Sequence, residues 1–231
     1  MSAPLHLYEE LMLLALRDEE GTVAADEMAF VYTLGGAILS ELLLLEIISL
    51  EQVKKKKSMV DLDRPARLGD PIMDECLEKL KTAKRRASLN TWVSRFGQLR
   101  KLKHRAAEQL CRRGILRVDE KSVLLIFSKK IYPELDPGPE RELVERLREA
   151  IFTDTNEVPP ATAILVALAD KAGVLKNAFD KKELKARKKR IENIGNGIAT
   201  AAAVKEVVEG IQVAITVAIT ASTVAATSAA T

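Results

Sequence analysis

Apolar residues recur at helical spacing through most of this chain, and the breaks in that spacing mark its elements. In LHLYEELMLLALR, residues 5–17, Leu7, Leu11 and Leu14 share one face, and the polar turn DEEG at 18–21 stops the helix. A second helix is predicted from about Asp26 to Ser49, where AILSELLLLEIIS is almost wholly apolar. Glu41 and Glu46 interrupt it too often for a bilayer span, so it is expected to cross the core. Gly35 and Gly36 inside it read as a point where two helices pack tightly. Residues 50–72 read as irregular, with KKKK at 54–57 as a solvated loop and prolines at 65 and 71. Asp70 before Pro71 is the order of an N-cap and the first helical position, and PIMDECLEKLKTAKRR is the helix that follows. SLNTWVSRF predicts a shorter one.

In GQLRKLKHRAAEQLCRRGILR, residues 97–117, Leu99, Leu102, Ala106 and Leu110 stand three and four apart and form an inward face, with Gly114 as the stop. Beyond it, ILRV and VLLIF flank the polar DEKS at 119–122, which predicts a β-hairpin. PELDPGP at 133–139 is a loop, ERELVERLREAIF an amphipathic helix, and PPATAILVALADKAGVL a helix opened by its prolines. The remainder reads helical nearly to the end, and no internal repeat is visible. The sum is a mainly α, single globular helical domain over residues 1–231, built around a central hydrophobic helix with a short β-hairpin. Its core is expected over about 5–209, with 210–231 as an apolar C-terminal helix or tail. That last segment is uncharged and follows KKELKARKKR, so a buried helix, a frayed tail and a membrane anchor all remain open.

Charge changes this picture more than composition does. The net charge of +3 hides a segregation: residues 1–50 hold nine acidic residues against Arg17 alone, and Lys81 to Arg117 holds twelve bases against Glu108. Such a field attracts anions. Cys76 and Cys111 stand far apart without metal-ligand spacing and read as buried thiols of a reducing compartment. The N-terminus lacks the basic region of a secretory signal, so a cytoplasmic protein is expected. With only His6 and His104, and no Walker, GxGxxG or GxSxG motif, no enzyme, metal site or cofactor is predicted. His104, among cations, is expected to be neutral and to face solvent.

On the basic helix, Arg100 and Lys103 are one turn apart and point away from the apolar row, so the two can share a phosphate. Lys101, His104 and Arg105 lie on the same helix, while Arg112 and Arg113 suit its C-terminal dipole. A helix followed by a hairpin is also the outline of a winged-helix nucleic-acid module. The exposed face offers Gln98 and Gln109 as its only amides, so it fits phosphate neutralisation rather than base reading, and nucleic acid is the weaker partner.

Several stretches in order resemble the Golgi phosphoprotein 3 family: LYEELMLLALRDEEG, LGGAILSELLLLEIISL, LGDPIMDECLEKL, the TW of NTWV, QLRKLKHRAAEQLCRRGIL, EKSVLLIF, YPEL and ILVALADKAGVLKNAF. The resemblance implies a helical fold around a hydrophobic helix and a peripheral membrane protein of the cytoplasmic face, at the Golgi in eukaryotes. It further implies binding of phosphatidylinositol 4-phosphate or another anionic headgroup, and a place in vesicle trafficking with membrane-protein clients. The family's headgroup pocket uses two basic residues on a helix before the hairpin, which match Arg100 and Lys103. Its early Trp and Arg fall at Asp26 and Gly35, so neither is retained, as in a divergent or prokaryotic member. The hairpin, through Val118, Lys121, Val123, Leu124 and Leu125, is implied in membrane contact or self-association as a homo-oligomer. A nucleic-acid module on the same bases, and a sorting scaffold without strong lipid binding, are the other readings.

Overall fold

Helix α2 (Glu27–Leu44) runs through the middle of the protein, and its neighbours are placed by what they bury against it. The computed structural model describes residues 4–17, 22–23, 27–54, 57–123, 127–155, 157–196, 213 and 216. Phe30, Leu34, Ala37, Ile38, Leu39 and Leu42 of α2 are completely shielded from solvent. Each large side chain so buried contributes roughly 1.5–3 kcal/mol. Because these residues surround most of the helix, α1 (Leu7–Ala15), α4 (Leu89–Gly97), α5 (Leu102–Arg112) and α7 (Pro160–Ala172) all pack on it. One buried cluster runs from Leu7 to Ile194, so the mainly helical reading and the central helix both hold.

Close approach sets the crossing of α2 and α4. A Cβ on Gly35 would lie 2.6 Å from both the Gly97 nitrogen and the Val93 oxygen, and one on Gly97 would lie 2.7 Å from Cδ1 of Tyr32. The glycine at 35 is there because nothing larger fits, as its tight-packing reading anticipates.

Helix ends follow local chemistry. Asp70 caps α3 (Pro71–Lys81), accepting from the Ile72 and Met73 amides at 2.9 and 2.8 Å, a contribution of about 1 kcal/mol. Ser88 caps α4 through the Thr91 amide. At the far end of α5, Gly114 takes φ +74°, and the Ile115 amide returns to the Leu110 carbonyl at 3.0 Å, closing the stop that the sequence predicts.

Three expectations need correction. α2 ends at Leu44 rather than Ser49, where Glu46 in the left-handed region turns the chain. Residues 50–72 are not irregular throughout: β3 (Ile48–Lys54) and β4 (Lys57–Leu62) pair antiparallel from Ile48 opposite Leu62, and β5 (Ala87–Ser88) extends the sheet on β4. The physical signal is period two, with Ile48 and Val60 buried and Ser49 and Glu51 exposed. The predicted hairpin exists with its turn displaced, since DEKS lies in β6 (Asp119–Val123), paired with β7 (Phe127–Ile131) from Asp119 opposite Ile131 to Val123 opposite Phe127. Ile115 and Leu116, expected in its first strand, are instead buried in the core.

A further short pair joins β1 (Leu16–Arg17) to β2 (Thr22–Val23). The C-terminal half adds α6 (Gly138–Phe152), α8 (Leu175–Ala178), α9 (Lys181–Ala186) and α10 (Lys188–Gly195), the last packed on α7. Among the described residues no helix is long and apolar enough to cross a membrane. The alternatives for 210–231 lie outside the described residues, apart from positions 213 and 216, which are helical and exposed.

Candidate functional site

The basic stretch is not one helix from Leu99. α4 ends at Gly97, and the chain turns before α5 begins at Leu102, with Lys101 at φ 55°, ψ 32°. A left-handed lysine costs about 1–2 kcal/mol and receives no side-chain cap in return. Leu99 and Leu102 are buried on either side of the turn, as the inward row requires, and that anchoring leaves Arg100 and Lys101 exposed between them. Among the described residues neither cation has a carboxylate partner. Lys103 follows on the first turn of α5, half-buried, at the positive end of the helix dipole.

The remaining cations of the stretch have structural partners. Arg105 Nη2 lies 2.7 Å from Glu75 Oε2 on α3. Arg112 donates to the Gln109 side chain. Arg113 does more than suit a helix end, because its Nη1 donates at 2.7 Å to Glu9 of α1 and both terminal nitrogens reach the Pro4 carbonyl at 3.2 Å. His104 is half-buried and within 3.0 Å of the Tyr132 hydroxyl, so it does not face solvent as expected. Burial, with Glu108 and Cys111 nearby, pushes the Tyr132 phenol up to about 12. Acidic residues near the N-terminus are paired as well: Glu10 holds Arg146 at 2.7 Å, and Glu41 holds His6.

A buried polar network joins α1, α3 and α5. Asp70, besides capping α3, accepts from the Tyr8 hydroxyl at 2.7 Å and the Gln109 amide at 2.6 Å. Burial alone would raise the Asp70 carboxyl, but the Met73 amide, Tyr8 and Gln109 bring it below its ordinary value. Glu9 goes the other way: burial raises it, although the His6 amide and Arg113 oppose that. For His6, burial works to lower the imidazole, and the bond to Glu41 and the charges of Glu41, Glu9 and Asp70 outweigh it, so the net direction is up. A histidine raised in the folded state gives stability that is complete below its unfolded value of 6.5 and is lost as pH rises through the folded value. Urea stability measured on the alkaline side of 6.5 is therefore expected to fall with pH, and His6→Gln to flatten that part of the slope.

Cys76 is buried and Cys111 half-buried, and burial raises both thiols, which keeps them protonated and inert. Among the described residues no group of three His, Cys, Asp or Glu could hold a metal ion. Of the hairpin positions, Val118 is exposed, and the backbones of Lys121 and Val123 lie in β6 opposite Lys129 and Phe127. Leu124 and Leu125 lie outside the described residues, as does Asp26. Gly35, by contrast, is sealed against α4, where a Cβ would meet backbone at 2.6 Å.

One cationic group of the charged run lies outside the helix expected for it. Lys84, Arg85 and Arg86 were assigned to a helix, yet α3 stops at Lys81 and all three are exposed on the turn into β5. The Ala-Ser step that begins β5 and caps α4 is the only local signal for that break.

The Golgi phosphoprotein 3 (GPP34) family model matches residues 7–211, and the chain belongs to that family. It is similar to vacuolar protein sorting-associated protein 74 of Schizosaccharomyces pombe, with 26% identity over 219 residues covering 82% of this chain and 65% of the relative. The chain thus spans somewhat less than two thirds of that protein's length.

Proposed function

We propose that this protein is a non-enzymatic peripheral membrane protein that docks on anionic phospholipid through Arg100, Lys101 and Lys103, and in that position serves protein sorting or vesicle trafficking. The observation that carries the reading is the Arg100–Lys101 turn: two exposed cations, without carboxylate partners among the described residues, raised beside a helix start by a strained left-handed backbone. Strain kept at a surface position is a mark of functional sites. Arg105, paired with Glu75, lends background potential rather than a ligand contact. Phosphatidylinositol 4-phosphate is one headgroup of suitable charge, by family. Gly35 supplies no second wall, so surface charge rather than a closed pocket is the expected basis of recognition. The hairpin adds bilayer contact or self-association, and the name of the S. pombe relative supports a sorting role with membrane-protein clients.

Co-sedimentation with phosphatidylcholine vesicles carrying anionic lipid tests this. At roughly 1 kcal/mol per surface cation, Arg100→Ala with Lys101→Ala is expected to weaken binding about 30-fold, with a steep dependence on salt in the parent. Unchanged binding by the double variant sinks the proposed face. Retention of duplex DNA by the same bases at low salt, with no vesicle binding, would transfer the site to nucleic acid.

A further inference from the structure

The basic run KKELKARKKR, residues 181–190, divides by residue type once it folds. Its two arginines turn inward. Arg187 Nη2 donates to the Phe152 carbonyl at 2.7 Å, and Arg190 donates to the Ala150 and Thr155 carbonyls at 3.1 and 2.7 Å, so the pair closes the C-terminal end of α6. Leu184, Ile191 and Ile194 lie on the same side, against the core. The five lysines stay exposed. Arg187, at φ −99° and ψ 9°, keeps α9 and α10 nearly continuous, so Lys181, Lys185 and Lys188 stand four and three apart along one ridge. Lys182 and Lys189 flank it, away from the buried row.

Little carboxylate charge offsets these lysines. Lys181, Lys182, Lys185 and Lys189 have no carboxylate partner among the described residues, and Lys188 has Glu192 at 3.7 Å, with both side chains exposed. Like charges four apart work against a helix, and α9 is only 6 residues long, so the bonds of Arg187 and Arg190 hold together a surface that its own charges oppose. The ridge also begins on the side of the molecule that carries the docking turn. The Arg113–Glu9 pair and the bonds of Asp70 to Tyr8 and Gln109 lay α1 antiparallel to α5, so the end of α1 points toward the start of α5. There Asn177 of α8 donates to the Leu14 carbonyl at 2.9 Å, and α9 follows directly on α8.

We propose, resting on the membrane reading above, that the lysine ridge of α9 and α10 is a second membrane-contact surface, which adsorbs to an anionic bilayer by charge density and does not select a headgroup. Ammonium groups are point charges on long flexible stems, suited to many phosphates spread over a surface rather than to one held in a fork. With its apolar residues committed to the core, the ridge lies on the headgroups without entering the acyl layer. Nucleic acid is the poorer partner, since neither an arginine nor an aromatic ring stands on the exposed face of these two helices.

The full chain is co-sedimented with phosphatidylcholine vesicles carrying phosphatidylserine, and separately with vesicles carrying phosphatidylinositol 4-phosphate at matched total charge. Lys181→Gln with Lys185→Gln and Lys189→Gln is expected to weaken binding to both, about fivefold for each lysine and so about a hundredfold in all. Arg67→Gln with Lys79→Gln and Lys81→Gln removes the same charge from α3 and the loop before it, and is expected to bind within about twofold of the parent, because salt screens distant charges. A loss confined to one lipid, or an equal loss in the α3 control, overturns the ridge. Parent-like binding by the lysine variant overturns it too, and leaves the docking face standing if Arg100→Ala with Lys101→Ala still loses affinity. No vesicle binding by the parent overturns both. Weaker retention of duplex DNA by the lysine variant, with vesicle binding unchanged, gives the ridge to nucleic acid instead. All three lysines are exposed, so far-UV circular dichroism of the variant is expected to match the parent.

Discussion

Gly35→Ala is expected to destabilise the protein by about 3 kcal/mol, seen as a lower urea midpoint at unchanged slope. The added methyl would meet the Gly97 nitrogen and the Val93 oxygen, each at 2.6 Å. Both are backbone atoms of α4, so no rotamer change relieves the contact and the two helices must part. Parting them loosens Trp92, Val93 and Phe96, which α4 buries against the core. Gly69→Ala supplies the contrast, because a Cβ there has nothing within 4 Å and only the φ of +77° resists it. Its cost is expected near 1 kcal/mol, the penalty of a left-handed backbone alone. Equal losses at the two positions would show that backbone conformation, not helix approach, governs both. A longer side chain fares worse: Gly35→Arg is expected to unfold the protein, since the space it needs is filled by α4.

Periodicity carried the parts of the fold that answer to one helix at a time. The row Leu99, Leu102, Ala106 and Leu110 is buried as spacing requires, and Asp70, Pro71 and Gly114 bound their helices where capping chemistry puts them. What failed was legibility of the breaks between helices. Arg100 and Lys101 have ordinary helix propensity, so nothing local announces the turn between α4 and α5; the burial of Leu99 and Leu102 on both sides of it decides the backbone there. KTAKRR likewise suits a helix, and pairing of β5 with β4 overrides that preference. In β6, polar residues were mistaken for a turn because a two-stranded ribbon need not alternate apolar and polar positions to be a strand.

The candidate site was legible as a charge run but not as a set of partners. Arg105 looks equivalent to Arg100 in sequence and Arg113 looks like a helix-end cation, and only the fold brings Glu75 and Glu9 to them. Partners so distant in the chain leave no local pattern. The effect is to reduce a seven-cation stretch to a few positions with charge to offer, and to expose a second group at Lys84, Arg85 and Arg86 that the helical reading had absorbed.

Arg113→Ala is expected to cost about 3–4 kcal/mol at neutral pH, the loss that follows when one member of a buried ion pair is removed. Glu9 is 1% exposed and Arg113 21%, so solvent screens the pair little. Without the guanidinium, the carboxylate keeps the His6 amide at 2.9 Å as its remaining donor. Burial already raises Glu9 above its ordinary range, and removing Arg113 takes away a charge that opposes the rise. A carboxyl raised in the folded state binds its proton more tightly there, so the penalty for ionisation applies at high pH and disappears as pH falls below the unfolded value of 4.5. The gap in stability between variant and parent is therefore expected to narrow as the solution is acidified. Glu9→Gln in the Arg113→Ala background is expected to recover most of the loss at neutral pH, because no charge is then stranded. A gap that stays constant with pH would place the cost instead in the severed bonds to the Pro4 carbonyl. Since Arg113 fixes the C-terminal end of α5 to α1 while the Arg100–Lys101 turn precedes its start, the variant also separates anchoring from docking: vesicle affinity measured on its folded fraction is expected to match the parent.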